Sequence, residues 1–101
     1  MYNILWKKSE GERYMVSREF TIKNAVGLHM RPAAVFANEM GLFESEVTIV
    51  YGDNKVNAKS LLSIIAACIK CGAVITLICE GEDEQAALDK AAELIDSGFG
   101  E

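Results

Sequence analysis

Nine consecutive residues, Val26-Gly27-Leu28-His29-Met30-Arg31-Pro32-Ala33-Ala34, hold most of the side chains in this 101-residue chain that could carry chemistry. His29 offers an imidazole that can act as a nucleophile. Gly27 permits a tight backbone approach, and Pro32 pre-sets φ in a helix's first turn while removing an N–H that would lack a partner there. Met30, Arg31 and Pro32 therefore read as a helix start, with His29 at the N-cap or one residue from it. Backbone N–H groups at a helix start point at whatever occupies that spot, and the helix dipole favours negative charge, so the place suits a phosphate. Arg31 adds a planar donor fork that can grip phosphate oxygens. Together these residues make a nucleophilic imidazole inside an anion cradle. A lone histidine here also serves as a plain cap or a solvent-facing residue, and an exposed Arg is common. What favours chemistry is the combination of Gly, His, Arg and Pro within six residues at a strand-to-helix junction.

The junction needs a strand before it and a helix after it. Val16, Phe20 and Ile22 alternate with Ser17, Glu19 and Thr21, the pattern of a half-buried strand. Ala33, Phe36, Ala37 and Met40 then fall at helical spacing before Gly41, which predicts a helix from about Met30 to Met40. Val47 to Tyr51, the turn Gly52-Asp53-Asn54, and Lys55 to Asn57 read as a hairpin. Ser60 precedes a second apolar stripe, Leu61, Ile64, Ile65, Cys68 and Ile69, ended by Lys70-Cys71-Gly72, with Leu62 on its shoulder towards solvent. Ala73 to Cys79 is apolar and rich in β-branched residues, as a central strand would be. Asp83 caps a last predicted helix whose Leu88, Ala91, Ala92 and Ile95 form the buried face before Gly98. The order is β-α-β-β-α-β-α, an α+β domain with an antiparallel sheet and helices on one face. Residues 1–14 are polar, without period, and read as an extension, either an upstream start or a tag, ahead of a domain spanning 15–101.

Composition excludes several classes. The chain is half hydrophobic with a single Pro, which fits one folded domain. Its net charge of −5 opposes nucleic-acid binding, whose affinity rests on phosphate neutralisation. Leu61 to Cys79 is mostly apolar, but Lys70 at its centre and Gly72 after it argue for two soluble elements rather than a membrane span. Ile4-Leu5-Trp6 is too short for the core of a signal peptide. Cys68 and Cys71 have C-x-x-C spacing, yet a zinc site needs four ligands and the thioredoxin type places the pair at a helix start. Here the pair closes a predicted helix instead, so Cys68, Cys71 and Cys79 read as reduced core or boundary residues and no metal is expected.

At these residues the chain resembles the histidine-containing phosphocarrier (HPr) family of the bacterial sugar phosphotransferase system. The family's histidine signature is matched by Gly27-Leu28-His29-Met30-Arg31-Pro32-Ala33 and its regulatory-serine signature by Asn57-Ala58-Lys59-Ser60-Leu61-Leu62. Thirty residues separate Gly27 from Asn57, as in the family, and the likeness runs from Met15 to Glu101. Met30 stands where a small residue is usual, Ser63 where Gly is frequent, and the cysteine pair is not a family feature.

The resemblance implies an open-faced sandwich, a four-stranded antiparallel sheet in the order 1-4-2-3 covered on one face by three helices. It implies a cytoplasmic monomeric carrier, without cofactor or metal, rather than a stand-alone enzyme. His29 would accept a phosphoryl group from Enzyme I and pass it to IIA domains of sugar permeases, with Arg31 stabilising the phosphate. Ser60 would be the target of an HPr kinase/phosphorylase where one exists, and phospho-Ser60 a signal to a catabolite-control transcription factor. Val35, Leu61 and Leu62 would form an apolar docking patch. The alternative is a regulatory module that acts through phospho-Ser60 alone, although the family's regulatory paralogue lacks the histidine that His29 matches. A third reading is an unrelated ligand-binding α+β domain carrying the His-Arg-Pro run by chance.

Overall fold

The computed structural model describes residues 4–7, 14–25 and 27–100, with side chains described for 15–25 and 27–99. Its elements are β1 (Ile4–Lys7), β2 (Tyr14–Thr21), α1 (Met30–Met40), β3 (Glu46–Tyr51), β4 (Asn54–Asn57), α2 (Leu61–Ala66), β5 (Val74–Glu80) and α3 (Glu84–Asp96), followed by a 3₁₀ turn over Gly98–Gly100. The strands form one antiparallel sheet in the order β1-β2-β5-β3-β4. Without β1 this is the expected 1-4-2-3 arrangement. The fifth strand is the difference: Ile4–Lys7, inside the segment read as an extension, pairs with β2 in the register Ile4↔Ser17 to Lys7↔Tyr14.

The period-2 pattern sorts the two faces. Val16 and Phe20, Val47 and Ile49, Val56, and Ile75, Leu77 and Cys79 are buried beneath the helices, whereas Glu19, Thr21, Glu46 and Asn57 on the other face are exposed. Helix α1 buries the stripe Ala33, Phe36, Ala37 and Met40, and α3 buries Ala87, Leu88, Ala91, Ala92 and Ile95. Phe99, left-handed at φ 59°, turns back into this core and meets Phe36 edge-on, with ring centroids 5.8 Å apart. Such a pair adds about 0.5–1.5 kcal/mol beyond the area it buries. The hairpin closes in two residues, one fewer than expected, because Gly52 takes φ +61° and Tyr51 already pairs with Asn54.

Two local expectations are corrected. The second helix stops at Ala66, so the apolar stripe is not continuous: Cys68 takes the left-handed conformation, φ 54°, and is exposed. Its N–H closes on the Ile65 carbonyl at 3.1 Å, a left-handed helix terminus, and Ile69 reaches the core from the loop beyond. Asp83 does head α3, but its carboxylate makes no cap. It accepts instead from the Glu44 N–H at 2.8 Å, the Ser45 N–H at 2.9 Å and the Ser45 hydroxyl.

Candidate functional site

The loop between β2 and α1 is anchored from below by the segment that leaves α2. Leu28 is buried, and its N–H donates to the Ile69 carbonyl at 2.8 Å. Gly27 lies at φ +74°, and a Cβ there would fall 2.5 Å from the Ile69 oxygen and 2.9 Å from the Cys71 nitrogen. Glycine is therefore required twice over, for its conformation and for the close approach. Asn24 closes the loop from the other side: its side-chain amide donates to the Gly27 carbonyl, and its own carbonyl accepts the Gly27 N–H at 3.0 Å. Sequence reasoning missed Asn24, although Asn just after a strand is a recognised turn signal.

His29 is the N-cap of α1, with extended backbone (φ −79°, ψ −170°), and its carbonyl accepts the Ala33 N–H at 3.0 Å. The imidazole makes no cap hydrogen bond and is half-buried, so the plain-cap reading fails for the side chain. Above it the N–H groups of Met30 and Arg31 have no carbonyl of their own helix to bond, and Pro32, buried, has no N–H. No acidic residue stands in this first turn, so the positive end of the helix is not neutralised from within. Arg31 is exposed, on the side away from the buried stripe. The start of α1 offers an anion two helix-start amides beside an imidazole, with the exposed Arg31 side chain on the same first turn.

Ser60 is the N-cap of α2 and is half-buried. Its hydroxyl oxygen accepts the Ser63 N–H at 3.3 Å, while its own N–H donates to the Asn57 carbonyl at 3.0 Å. Lys59 beside it points away, its ammonium donating to the Phe43 carbonyl at 2.7 Å. Helices α1 and α2 pack on each other, which brings the Ser60 and His29 helices into one layer.

The expected docking residues divide. Leu62 is 80% exposed, whereas Val35 is half-buried and Leu61 packs against the core. Met30, 61% exposed next to His29, is the apolar surface residue that sequence reasoning assigned only to the helix start. Among the described residues, no group of three or more His, Cys, Asp or Glu side chains could hold a metal ion, and no helix is long and apolar enough to cross a membrane.

Residues 16–97 match the family model described as the PTS HPr component phosphorylation site. The HPr-like protein Crh of Bacillus subtilis is 40% identical over 81 residues, covering 80% of this chain and 95% of that relative. A crystal structure of that protein, described as a swapping-domain dimer, superposes with a TM-score of 0.66 at 37% identity, over 80% of this chain and 93% of that one. The phosphocarrier protein HPr of Haemophilus influenzae is 38% identical over 81 residues, 80% of this chain and 95% of that one. The crystal structure of HPr from Thermoanaerobacter tengcongensis superposes with a TM-score of 0.82 at 40% identity, over 84% of this chain and 96% of that one. With these matches running from β2 through α3, the chain belongs to the HPr family of phosphocarriers of the phosphotransferase system.

Proposed function

We propose that this chain relays a phosphoryl group through His29. An imidazole nitrogen attacks the phosphoryl group carried by the phosphohistidine of Enzyme I; one P–N bond breaks as another forms, and the reverse chemistry delivers the group to a IIA domain of a sugar permease. The Met30 and Arg31 amides and the Arg31 guanidinium neutralise the charge that accumulates on the phosphoryl oxygens during transfer. The observation that carries this reading is the α1 start itself: His29 holds the N-cap position, before a first turn that holds no carboxylate.

Leu62 and Met30 supply the apolar contacts of a transient docking face. The carrier works in the cytoplasm as a monomer, and Ser60 is the site at which an ATP-dependent kinase regulates it. The relatives named Crh favour a second reading, a regulatory module in which only phospho-Ser60 matters; His29 in the signature supports the relay over it. Incubation with phosphoenolpyruvate and Enzyme I decides between them. The relay requires a gain of one acid-labile phosphoryl group that His29→Ala abolishes. Modification by ATP and kinase alone, with none from Enzyme I, would establish the regulatory module.

A further inference from the structure

Asn24 is one of two buried polar residues among those described, 9% exposed between Lys23 and Ala25, which face solvent. Burying an amide costs free energy unless its hydrogen bonds are made. Both backbone polar groups of Gly27 are bonded to it: the Gly27 N–H donates to the Asn24 carbonyl at 3.0 Å, and the Gly27 carbonyl accepts from the Asn24 side-chain amide. The other half of the same peptide, the Leu28 N–H, donates to the Ile69 carbonyl at 2.8 Å. The Gly27–Leu28 peptide is therefore held at both ends, by Asn24 at its oxygen and by Ile69 at its nitrogen. The two anchors belong to one framework. Ile22, two residues before Asn24, donates its N–H to the Ala73 carbonyl at 2.9 Å and accepts the Gly72 N–H at 2.8 Å, just beyond Ile69. Past the held peptide, Leu28 is buried and the His29 carbonyl already accepts the Ala33 N–H at 3.0 Å. His29 thus lies between a clamped peptide and the first turn of α1, and that backbone sets the Cα–Cβ bond that aims its imidazole.

We propose that Asn24 is a positioning residue for phosphoryl transfer, fixing the aim of the His29 imidazole through its hydrogen bond to the Gly27 carbonyl. The inference rests on the relay proposed above. Transfer between two histidines needs the attacking nitrogen in line with the breaking P–N bond, and a misplacement of about 1 Å can slow such a step by roughly a hundredfold. The amide is required in particular. A backbone carbonyl only accepts, so the group facing it must carry a hydrogen, and a carboxylate of the same shape would set oxygen against oxygen. Asn24 acts through the backbone and stands apart from Met30 and Leu62 of the docking face, so its loss should lower the maximal rate and leave the half-saturation concentration unchanged.

The test compares the full wild-type chain with Asn24→Asp, which keeps the shape and loses the donor at neutral pH, and Asn24→Ala, which loses both. Urea denaturation first establishes that each variant is folded under the assay conditions, and Asn24→Asp, filling the same space, is the variant read if Asn24→Ala is not. Phosphoryl uptake is then followed against the concentration of phosphorylated Enzyme I, and amide hydrogen exchange is measured at Leu28 and in β5. The maximal rate is expected to fall roughly ten- to hundredfold in both variants at an unchanged half-saturation concentration. The Leu28 amide is expected to accelerate by a larger factor than the β5 amides, which report global unfolding. Variants that keep the wild-type maximal rate, or a defect confined to the half-saturation concentration, would overturn the proposal. So would a Leu28 amide that accelerates no more than β5, since Asn24 would then contribute to stability alone. A wild-type chain that takes up nothing from Enzyme I fails the relay, and this role falls with it; variants that transfer as wild type does fail only the role of Asn24.

Discussion

A Cβ on Gly27 would lie 2.5 Å from the Ile69 carbonyl oxygen, the same oxygen that accepts the Leu28 N–H at 2.8 Å. The loop ending in His29 thus rests on the chain leaving α2 without room for one more carbon. Gly27→Ala combines left-handed strain with an overpacked backbone contact, and we expect it to destabilise the domain by about 2–4 kcal/mol. Urea denaturation measures this directly, and an unmoved midpoint would show that the contact is not tight.

Asp83 ties the start of α3 to residues almost forty positions earlier. The Ser45 hydroxyl, then the Glu44 N–H, hold its carboxyl below the usual carboxylate range; desolvation opposes them, and the Ser45 N–H helps. A folded-state pKa lower than the unfolded value, about 3.9, makes a contribution to stability that is complete above that value and lost as pH falls through the folded one. Asp83→Asn should therefore be less stable than wild type at neutral pH, with a gap that narrows under acid. Denaturation midpoints followed from neutral pH downwards test this, and a gap that stays constant would remove Asp83 from the acid response.

Arg31 is exposed and turned from the core stripe, so its loss should cost rate rather than fold. Arg31→Ala is expected to slow phosphoryl transfer by about one to three orders of magnitude, the effect of losing one electrostatic donor. Its melting temperature should stay at the wild-type value. A large drop in melting temperature with an unchanged rate would reverse the assignment.

Ser60 caps α2 through its hydroxyl oxygen, a role that a carboxylate can also fill. Ser60→Asp should accordingly keep its stability while placing charge on the layer that α1 and α2 share. If the partner surface that meets this layer is acidic, that charge slows association, so the half-saturation concentration for phosphorylated Enzyme I should rise, and salt should relieve part of the rise. True phosphorylation, with about −2 charge, should act more strongly. A normal half-saturation concentration with a lost maximal rate would instead point to distortion at His29.

The sequence by itself determined the elements whose signals are local. Alternation marked β2, the Ala33-Phe36-Ala37-Met40 spacing marked α1 from Met30 to Met40, and Gly27, His29, Arg31 and Pro32 marked the start of α1, where the candidate site lies, because a helix start is built from neighbours. Tertiary structure decided what depends on distant partners. Cys68 and Ile69 continue the apolar stripe of α2 on paper, yet the chain turns left-handed at Cys68 and buries Ile69 from a loop, since a period records which residues are apolar and not the path that buries them. Asp83 has the residue type of a cap, but amides and a hydroxyl brought near by β3 pairing with β5 compete successfully for its carboxylate. Ile4–Lys7 is too short for alternation to show, and it becomes a strand because the edge of β2 offers hydrogen bonds that four residues can meet. The support beneath His29, from Asn24 and Ile69, was invisible for the same reason: hydrogen bonds between segments follow from where the sheet places them, and one segment read alone carries no record of the other.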